Sequence, residues 1–245
     1  MASTSETGHA KNVANFEDLI SFCTGYGASY NPSKVAIQIA SLNTLLTNAQ
    51  GSITSVNSSK TAFTNATNAR QAAFDPLKKL CTKIVNALDA TDATDKLVKD
   101  AKTINNKIQG KRSGGKPTPP TTGVTEATED KTISVSQQSY DSLIENFDKL
   151  IQLVSSEPTY TPNETELQVS TLTTNLGNLK TANTAVINSY TNYSNSRITR
   201  NSILYAPTSG LVDMAGDVKK YVKSVYGATS PQFKQVSKLE FKKVK

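Results

Sequence analysis

The sequence contains two related halves, and this internal repeat limits the folds that the chain can adopt. At an offset of 130 residues the stretch 30–74 matches the stretch 160–204 without a gap, with identities at Tyr30/Tyr160, Pro32/Pro162, Gln38/Gln168, Leu42/Leu172, Leu46/Leu176, Val56/Val186, Asn65/Asn195 and Arg70/Arg200. Each copy of such a repeat must be one structural unit. A long period that occurs only twice indicates a duplicated bundle rather than an open array.

The similarity extends beyond this core once short insertions are allowed. Upstream, Phe16, Leu19 and Ile20 correspond to Tyr140, Leu143 and Ile144. Downstream, Leu77, Leu80, Cys81, Ile84 and Leu88 correspond to Leu211, Met214, Ala215, Val218 and Val222. A last block pairs Val98, Ala101 and Ile104 with Phe233, Val236 and Leu239. Each copy therefore predicts a short, a long, a medium and a short helix, in that order.

The long segment of each copy has the spacing of a coiled-coil heptad, because its seam positions follow alternating steps of three and four. In the first copy these positions are Ile39, Leu42, Leu46, Ala49, Ile53, Val56, Lys60, Phe63, Thr67, Arg70 and Phe74. In the second they are Val169, Leu172, Leu176, Leu179, Asn183, Val186, Tyr190, Tyr193, Arg197, Arg200 and Leu204. The pattern predicts one long helix per copy, from about residue 32 to 74 in the first.

Prolines predict where the helices begin and end. Asn31 and Thr161 each precede a proline suited to the first helical position, and Thr161 with Glu164 has the spacing of a capping box. Ser230 before Pro231 starts the last helix in the same manner. Because proline disfavours a helical residue before it, two breaks are expected to end the long helices: Asp75-Pro76 and Ala206-Pro207.

These observations predict an all-α, internally duplicated helical bundle with pseudo-twofold symmetry. The predicted parts are a disordered N-terminal tail over 1–12, a first helical repeat over 13–109, a flexible linker over 110–134 and a second helical repeat over 135–245. The linker is rich in Gly, Pro and Thr and nearly free of large apolar residues. The sequence leaves open whether the two repeats form separate bundles or one intertwined bundle.

The polar residues offer little that is typical of an enzyme. The single histidine, His9, falls in the predicted tail, which removes Ser-His, Cys-His and His-ligand metal sites. Cys23 and Cys81 are too far apart for a metal motif and are expected to be small core residues. We therefore predict no enzymatic activity, no cofactor and no metal.

Two pairs of carboxylates have the spacing of acid/base candidates. Asp213 and Asp217 are one helical turn apart, and Asp92 and Asp95 lie at a predicted helix start. Charges at helix ends and solvated helix faces explain both pairs, and we favour this structural interpretation.

Three arginines, Arg70, Arg197 and Arg200, occupy seam positions, where a charge is costly unless it is paired. One interpretation is structural: each arginine reaches a carboxylate or helix-end carbonyls and fixes the register of the bundle. The other is an anion-binding pocket at the end of each long helix. We favour the structural interpretation because the residue recurs in both copies.

The chain carries a net charge of +7, and part of the excess lies at the C terminus. Lysines there could contact nucleic-acid phosphates. Because Phe233, Val236 and Phe241 lie among them at helical spacing, an amphipathic helix with a solvated lysine face is the first interpretation. The basic surface comprises Lys234, Lys238, Lys242, Lys243 and Lys245.

The sequence shows no pattern typical of a targeting signal. The N terminus shows no basic region followed by an apolar run, and no apolar stretch approaches the ~18 residues that span a bilayer. We expect a cytoplasmic protein without a transmembrane segment.

Four stretches carry a resemblance to known proteins: ASTSETGHAKNVANFEDLISF, YGASYNPSK, SRITRNSILY and YVKSVYGATSPQFKQVSKLEF. Together they resemble an uncharacterised bacterial family of two-repeat, all-helical proteins of about this length. The resemblance implies a bacterial, cytoplasmic protein and carries over no catalytic residue.

Three classes of function remain. The leading one is a non-enzymatic structural or protein-interaction protein that assembles with itself or with another protein. The alternative is a nucleic-acid or anion-binding protein that uses the basic C-terminal helix. The third is a helical membrane-associating or pore-forming protein, which the low apolarity of every segment disfavours.

Overall fold

A computed structural model describes residues 8–111 and 138–243 of the chain. These residues form α-helices and 3₁₀ turns and contain no β-strand, which confirms the predicted all-α helical bundle. The helices are α1 His9–Gly25, α2 Ile39–Phe74, α3 Leu77–Asp89, α4 Asp95–Gln109, α5 Tyr140–Ser155, α6 Val169–Tyr205, α7 Leu211–Tyr226 and α8 Pro231–Ser237. The 3₁₀ turns are Gly27–Ser29, Val35–Ile37 and Thr165–Leu167.

The ends of the long helices lie where the prolines predict them. Helix α2 ends at Phe74, before Asp75-Pro76, and α6 ends at Tyr205, before Ala206-Pro207. The start of α8 is also confirmed, because Pro231 takes a first-turn position and the Ser230 side chain accepts a hydrogen bond from the Phe233 amide. Proline sets these helix ends through its local effect on the backbone, and contacts with distant residues are not needed to explain them.

The predicted starts of the long helices, including the caps at Asn31 and Thr161, are wrong. Helix α2 begins at Ile39 rather than near residue 32, and α6 begins at Val169. A 3₁₀ turn precedes each start, and a buried tyrosine holds it: the Tyr30 hydroxyl donates to the Ile37 carbonyl (2.7 Å), and the Tyr160 hydroxyl donates to the Leu167 carbonyl (3.0 Å). Burial of these hydroxyls with a partner outweighs the local capping signal.

Helix α1 reaches further toward the N terminus than predicted, since His9 to Asn12 of the expected tail are helical. Asn12 is buried and exchanges hydrogen bonds with the backbone of Lys242, which orders this turn. Residues 1–7 lie outside the described residues. So does the predicted linker, apart from Gly110, whose left-handed backbone (φ 75°) ends α4, and Lys111.

The chain divides into two compact units. Unit 1 takes residues 1–64 and 188–245, and unit 2 takes residues 65–187. Unit 1 thus contains the start of the first sequence repeat and the end of the second, and unit 2 contains the end of the first and the start of the second. The compact units are therefore not coextensive with the sequence repeats, and both long helices contribute residues to both units.

Unit 1 is built from α1, α7 and α8 together with the first part of α2 and the last part of α6. In it α1 packs against α7 and α8, α7 packs against α8, and α7 contacts the 3₁₀ turn Val35–Ile37. The core of this unit includes the fully buried Phe16, Leu19, Leu42, Leu204 and Leu211.

Unit 2 is built from α3, α4 and α5 together with the last part of α2 and the first part of α6. Here α5 packs against α3 and α4, α3 packs against α4, and α3 contacts the 3₁₀ turn Thr165–Leu167. Its core includes the fully buried Ile84, Leu88, Phe147, Leu150 and Leu172. The four contacts named for unit 1 therefore correspond to the four named for unit 2 when the helices are matched as the sequence alignment predicts.

Candidate functional site

Arg70, one of the predicted seam arginines, lies in a polar cluster of unit 2. Its Nη1 donates to Oδ1 of the buried Asn183 (2.9 Å), and Nδ2 of Asn183 donates to Oδ1 of Asp141 (2.8 Å). The guanidinium lies 3.9 Å from the centroid of the Tyr140 ring, which meets Phe74 edge-on. One arginine thus connects α2 with α6 and α5.

This geometry favours the structural interpretation of Arg70. A cation over an aromatic face and a charge-assisted hydrogen bond both stabilise the folded state. The Nε atom is buried and has no hydrogen-bond partner among the described residues, so the guanidinium is not fully satisfied. Loss of the side chain would therefore remove favourable contacts and also one buried polar atom that costs stability.

The sequence-equivalent Arg200 in unit 1 has a different environment. Its Nε and Nη2 both donate to Oδ1 of the adjacent Asn201, at 3.2 and 2.8 Å. Arg197, the third predicted seam arginine, is exposed, and its guanidinium lies 5.6 Å from the Tyr193 ring centroid. The two arginines that the sequence alignment pairs, Arg70 and Arg200, therefore have different partners.

His9 lies close to these two arginines. Its Nδ1 is 2.6 Å from the Tyr205 hydroxyl, and partial burial, together with the nearby positive charges of Arg200 and Arg197, lowers the pKa of the imidazole. This residue was assigned to a loose tail from the sequence, yet it belongs to the first turn of α1. Its environment favours the neutral imidazole.

The basic C-terminal surface does not form one helical face. Helix α8 ends at Ser237, so Lys238 follows it and Lys242 and Lys243 lie beyond it in an irregular segment. Lys242 pairs with Glu240 (3.3 Å) and Lys243 pairs with Asp213 (3.0 Å). The predicted C-terminal helix with a lysine face is therefore wrong beyond Ser237.

Two exposed lysines of this surface, Lys234 and Lys238, form no ion pair within residues 8–111 and 138–243. Lys245 lies outside the described residues. The irregular segment after α8 is held by the buried polar residues of α1, since Asn12 and Asn15 donate to the carbonyls of Lys242 and Glu240, each at 2.7 Å. The backbone of this segment is thus bound to α1 within unit 1.

The carboxylates Asp213 and Asp217 are both engaged by cations. Asp213 accepts from the Thr208 amide and from Lys243, and these bonds lower the pKa of its carboxyl. Asp217 pairs with Lys34 (2.6 Å) and Lys220 (3.1 Å), which lower its pKa in the same way. The geometry favours ionised structural carboxylates at this pair.

The other carboxylate pair lies at the start of α4. Asp95 is in the first turn of the helix, where its charge meets the positive end of the helix dipole, and Asp92 precedes the helix. This placement also favours the structural interpretation.

The cysteines behave as core residues. Cys23 and Cys81 are buried and unpaired by disulfide, and desolvation raises the pKa of each thiol to about 12. A thiol with so high a pKa is a poor nucleophile and a poor metal ligand. Among the described residues, no cluster of His, Cys, Asp and Glu has the arrangement of a metal site.

The most unusual surface of unit 1 lies on α6, between residues 188 and 203, where no side chain is buried. Tyr190 is 55% exposed and Ile198 is 65% exposed, and the two lie about two turns apart on the same side of the helix. The ring of Phe63, on α2, contacts Tyr190 (centroids 5.5 Å apart) and stacks on Tyr193 (6.2 Å). We call Tyr190, Ser194 and Ile198, which share one side of the helix, the α6 face.

The long helices are also poor in charge. Together α2 and α6 contain Lys60, Arg70, Lys180, Arg197 and Arg200, and neither contains an Asp or a Glu. Their remaining polar residues are Ser, Thr, Asn and Gln. The cores of protein interfaces are depleted in charge, so this composition suits a contact surface.

Sequence reasoning placed Tyr190 and Arg197 in the helix seam, and both are exposed. The sequence contained one sign of this exposure. Lys60, Thr67 and Arg197 are polar, although they occupy seam positions that should bury apolar groups. The α6 face could not be predicted from the sequence. The helical period shows which side of a helix is apolar, but the tertiary fold decides whether other helices cover that side.

No described helix combines the length and the apolarity needed to cross a bilayer. No protein-family model matches the chain, and comparison with curated proteins and with solved structures finds no similar protein.

Proposed function

We propose that the chain is a non-enzymatic, cytoplasmic structural protein, built by internal duplication, that assembles with a second copy of itself through the α6 face. The duplication is supported by the matched helix contacts of the two units and by the tyrosine-held 3₁₀ turn in each. The proposal of a structural role rests on the exposure of Tyr190 and Ile198.

The spacing of the α6 face fits a contact between two identical helices. Tyr190 and Ile198 lie four residues on either side of Ser194. If two α6 helices cross in antiparallel directions about a twofold axis at Ser194, Tyr190 of each copy meets Ile198 of the other. A twofold contact of this kind is the commonest in soluble oligomers.

The charges of α6 are compatible with the same arrangement. In an antiparallel pair centred on Ser194, Arg197 faces Thr191 of the second copy and Arg200 faces Asn188. Like charges therefore do not meet, and the small Ser194 at the crossing point allows the backbones to approach. Two exposed apolar groups per chain would leave water together.

Light scattering after size-exclusion chromatography tests the proposal. Because self-association depends on concentration, we expect the mass to rise from 26.3 kDa toward twice that value between about 1 and about 200 µM. Ser194→Lys, which brings two cations together at the crossing point, should return the chain to a monomer. Val35→Asn removes another exposed apolar residue, outside α6, and should leave the dimer intact.

Oxidative cross-linking gives an independent test of the geometry. Ser194→Cys should form a disulfide-linked dimer, whereas Thr47→Cys, on the exposed side of α2, should not. The native Cys23 and Cys81 are buried and should stay unreacted. A wild-type chain that remains monomeric throughout, with no Ser194→Cys dimer, would contradict the proposal.

The nucleic-acid alternative is favoured by the net charge of +7 and by Lys234 and Lys238, which form no ion pair with any described residue. Binding through such contacts weakens steeply with salt. In a retardation assay the chain should therefore bind double-stranded DNA at about 50 mM salt and dissociate from it at about 200 mM. Lys234→Gln with Lys238→Gln should then abolish the retardation, and Lys96→Gln with Lys99→Gln, on α4, serves as the matched control.

A further inference from the structure

Unit 2 contains a cavity of about 480 Å³. Its walls come from the end of α2, from α3, α5 and α6, and from the 3₁₀ turn Thr165–Leu167. Small-molecule sites have volumes of roughly 300–1,000 Å³, are mostly apolar and occur between the helices of bundles. The apolar wall includes Ala73, Leu77, Leu80, Phe147 and Leu179.

The polar groups of this cavity lie at its edge and carry a net positive charge. Lys83 pairs with Glu166 (2.7 Å), and Lys79 lies one helical turn before it on α3. Within the part of the chain that the structure describes, Lys79 forms no ion pair. The side-chain amides of Asn175 and Asn178 add hydrogen-bond donors to the same cavity lining.

The positive edge is specific to unit 2. The sequence-equivalent residues of Lys79 and Lys83 in unit 1 are Asp213 and Asp217, and both of these bind lysines instead. The repeated scaffold therefore does not require cations at these positions. Lys83 and Asp217 each take part in an ion pair, so the charge that unit 2 adds at the edge of the cavity is that of Lys79, which forms no ion pair among the described residues.

We infer that this cavity binds a small amphiphile with one acidic group, of the class of medium-chain carboxylic acids. The alkyl chain would lie against the half-buried Ala73 and Leu80, and the carboxylate would meet Lys79 and the amide of Asn175 or Asn178 at the edge. A cationic head group would meet Lys79 and lose affinity. A neutral head group would gain nothing from that charge.

Isothermal titration calorimetry of the full chain with hexanoate, octanoate and decanoate tests this site. Each added methylene that enters an apolar cavity should tighten binding roughly fourfold, with one site per chain. Decyltrimethylammonium should bind at least about tenfold more weakly than decanoate, because its charge is reversed. Affinities that do not rise with chain length, or equal binding of the cationic amphiphile, would overturn the inference.

Variants locate the site. Lys79→Asp, which copies unit 1, should weaken decanoate about tenfold and leave decanol unchanged, since the change is electrostatic. Lys99→Asp, an exposed lysine of α4, makes the same charge change away from the cavity and should have no effect.

The cavity itself is tested by Ala73→Phe, which fills it and should abolish binding of both decanoate and decanol. Thermal melts followed by circular dichroism check that the variant is folded. If it does not fold, Leu80→Gln, at a half-buried position of the wall, replaces it. Decanoate binding that survives in the folded variant would refute the assignment to this cavity.

Discussion

Unit 1 and unit 2 share a set of helix contacts and differ in how polar residues complete them. In unit 2 helix α4, which corresponds to α8, continues to Gln109, whereas in unit 1 α8 ends at Ser237 and an irregular segment follows. That segment is fixed by Asn12 and Asn15 from α1 and by Phe241, whose ring meets Phe16 edge-on. The same set of helix contacts is thus completed by a longer helix in unit 2 and by an irregular segment in unit 1.

The seam arginines show the same contrast. Arg70 reaches Asn183 and Tyr140 on two other helices, whereas Arg200 bonds its neighbour Asn201. An interaction between distant parts of the chain constrains the fold, and an interaction between adjacent residues does so much less. Identity at equivalent positions therefore does not imply equal contributions to stability.

The largest expected difference between the units lies in the core. Phe147 of unit 2 is fully buried, and its equivalent in unit 1 is the smaller Cys23. Phe147→Ala should lower the free energy of unfolding by about 3–5 kcal/mol, because it removes a large buried side chain and leaves a cavity. Cys23→Ala should cost much less, about 1 kcal/mol, since it removes a single buried atom.

Urea unfolding followed by circular dichroism measures both values, and amide hydrogen exchange shows which unit loses protection. Equal losses from Phe147→Ala and Cys23→Ala would contradict this prediction, because the larger buried side chain should contribute more to the free energy of unfolding.

A second, smaller difference concerns the arginines. Arg70→Met should lower the free energy of unfolding by about 1–2 kcal/mol, because it removes a hydrogen bond to Asn183 and the stacking on Tyr140. Arg200→Met should cost less than about 0.5 kcal/mol, as expected for a partly exposed residue with a local partner. The same urea titrations provide the comparison.

Asn183→Ala supplies a control, because it removes the arginine's hydrogen-bond partner and leaves the ring contact. If Arg70→Met and Arg200→Met were equally mild, the structural interpretation of Arg70 would lose its support.

The smallest expected effect is a pH dependence that belongs to unit 1 alone. The folded chain lowers the pKa of His9, so the unfolded state takes up the proton first as pH falls through the ordinary value of about 6.5. The stability contributed by the neutral imidazole is therefore present above about pH 6.5 and is lost as pH falls below that value. As pH is lowered through this value, the melting temperature should fall slightly more for the wild type than for His9→Gln.

The carboxyls of Asp213 and Asp217, whose pKa values are lowered, contribute stability that is lost only as pH falls below about 4. The two effects therefore occupy separate pH ranges. Identical pH profiles for wild type and His9→Gln would contradict the predicted environment of His9.

Much of the fold could be predicted from the sequence where a signal is local. The ends of α2 and α6, before Asp75 and Ala206, and the start of α8 follow from proline geometry. Most buried seam positions, such as Leu42 and Leu172, follow from the helical period. The starts of α2 and α6 could not be predicted. The hydrogen bonds that fix them join residues seven positions apart, and each ends at a 3₁₀ turn that has no clear sequence signal.

The candidate sites were less predictable for a physical reason. Arg70 was identified, but its partners Tyr140 and Asn183 are far from it in sequence and come together only through tertiary packing. The exposure of Tyr190 likewise depends on which helices fail to cover it. The cavity of unit 2 depends on side chains from several helices, and no sequence period reports empty space.

The division of the chain into a continuous unit 2 and a discontinuous unit 1 has a consequence for synthesis on the ribosome. Unit 2 has all its residues once position 187 has emerged, whereas residues 1–64 must wait for residues 188–245. This separation along the chain slows folding. During this interval the apolar side of α1, with Phe16 and Leu19, lacks α7 and α8. We expect nascent chains stalled before α7 to need protection from aggregation, and unit 2 to resist proteolysis first.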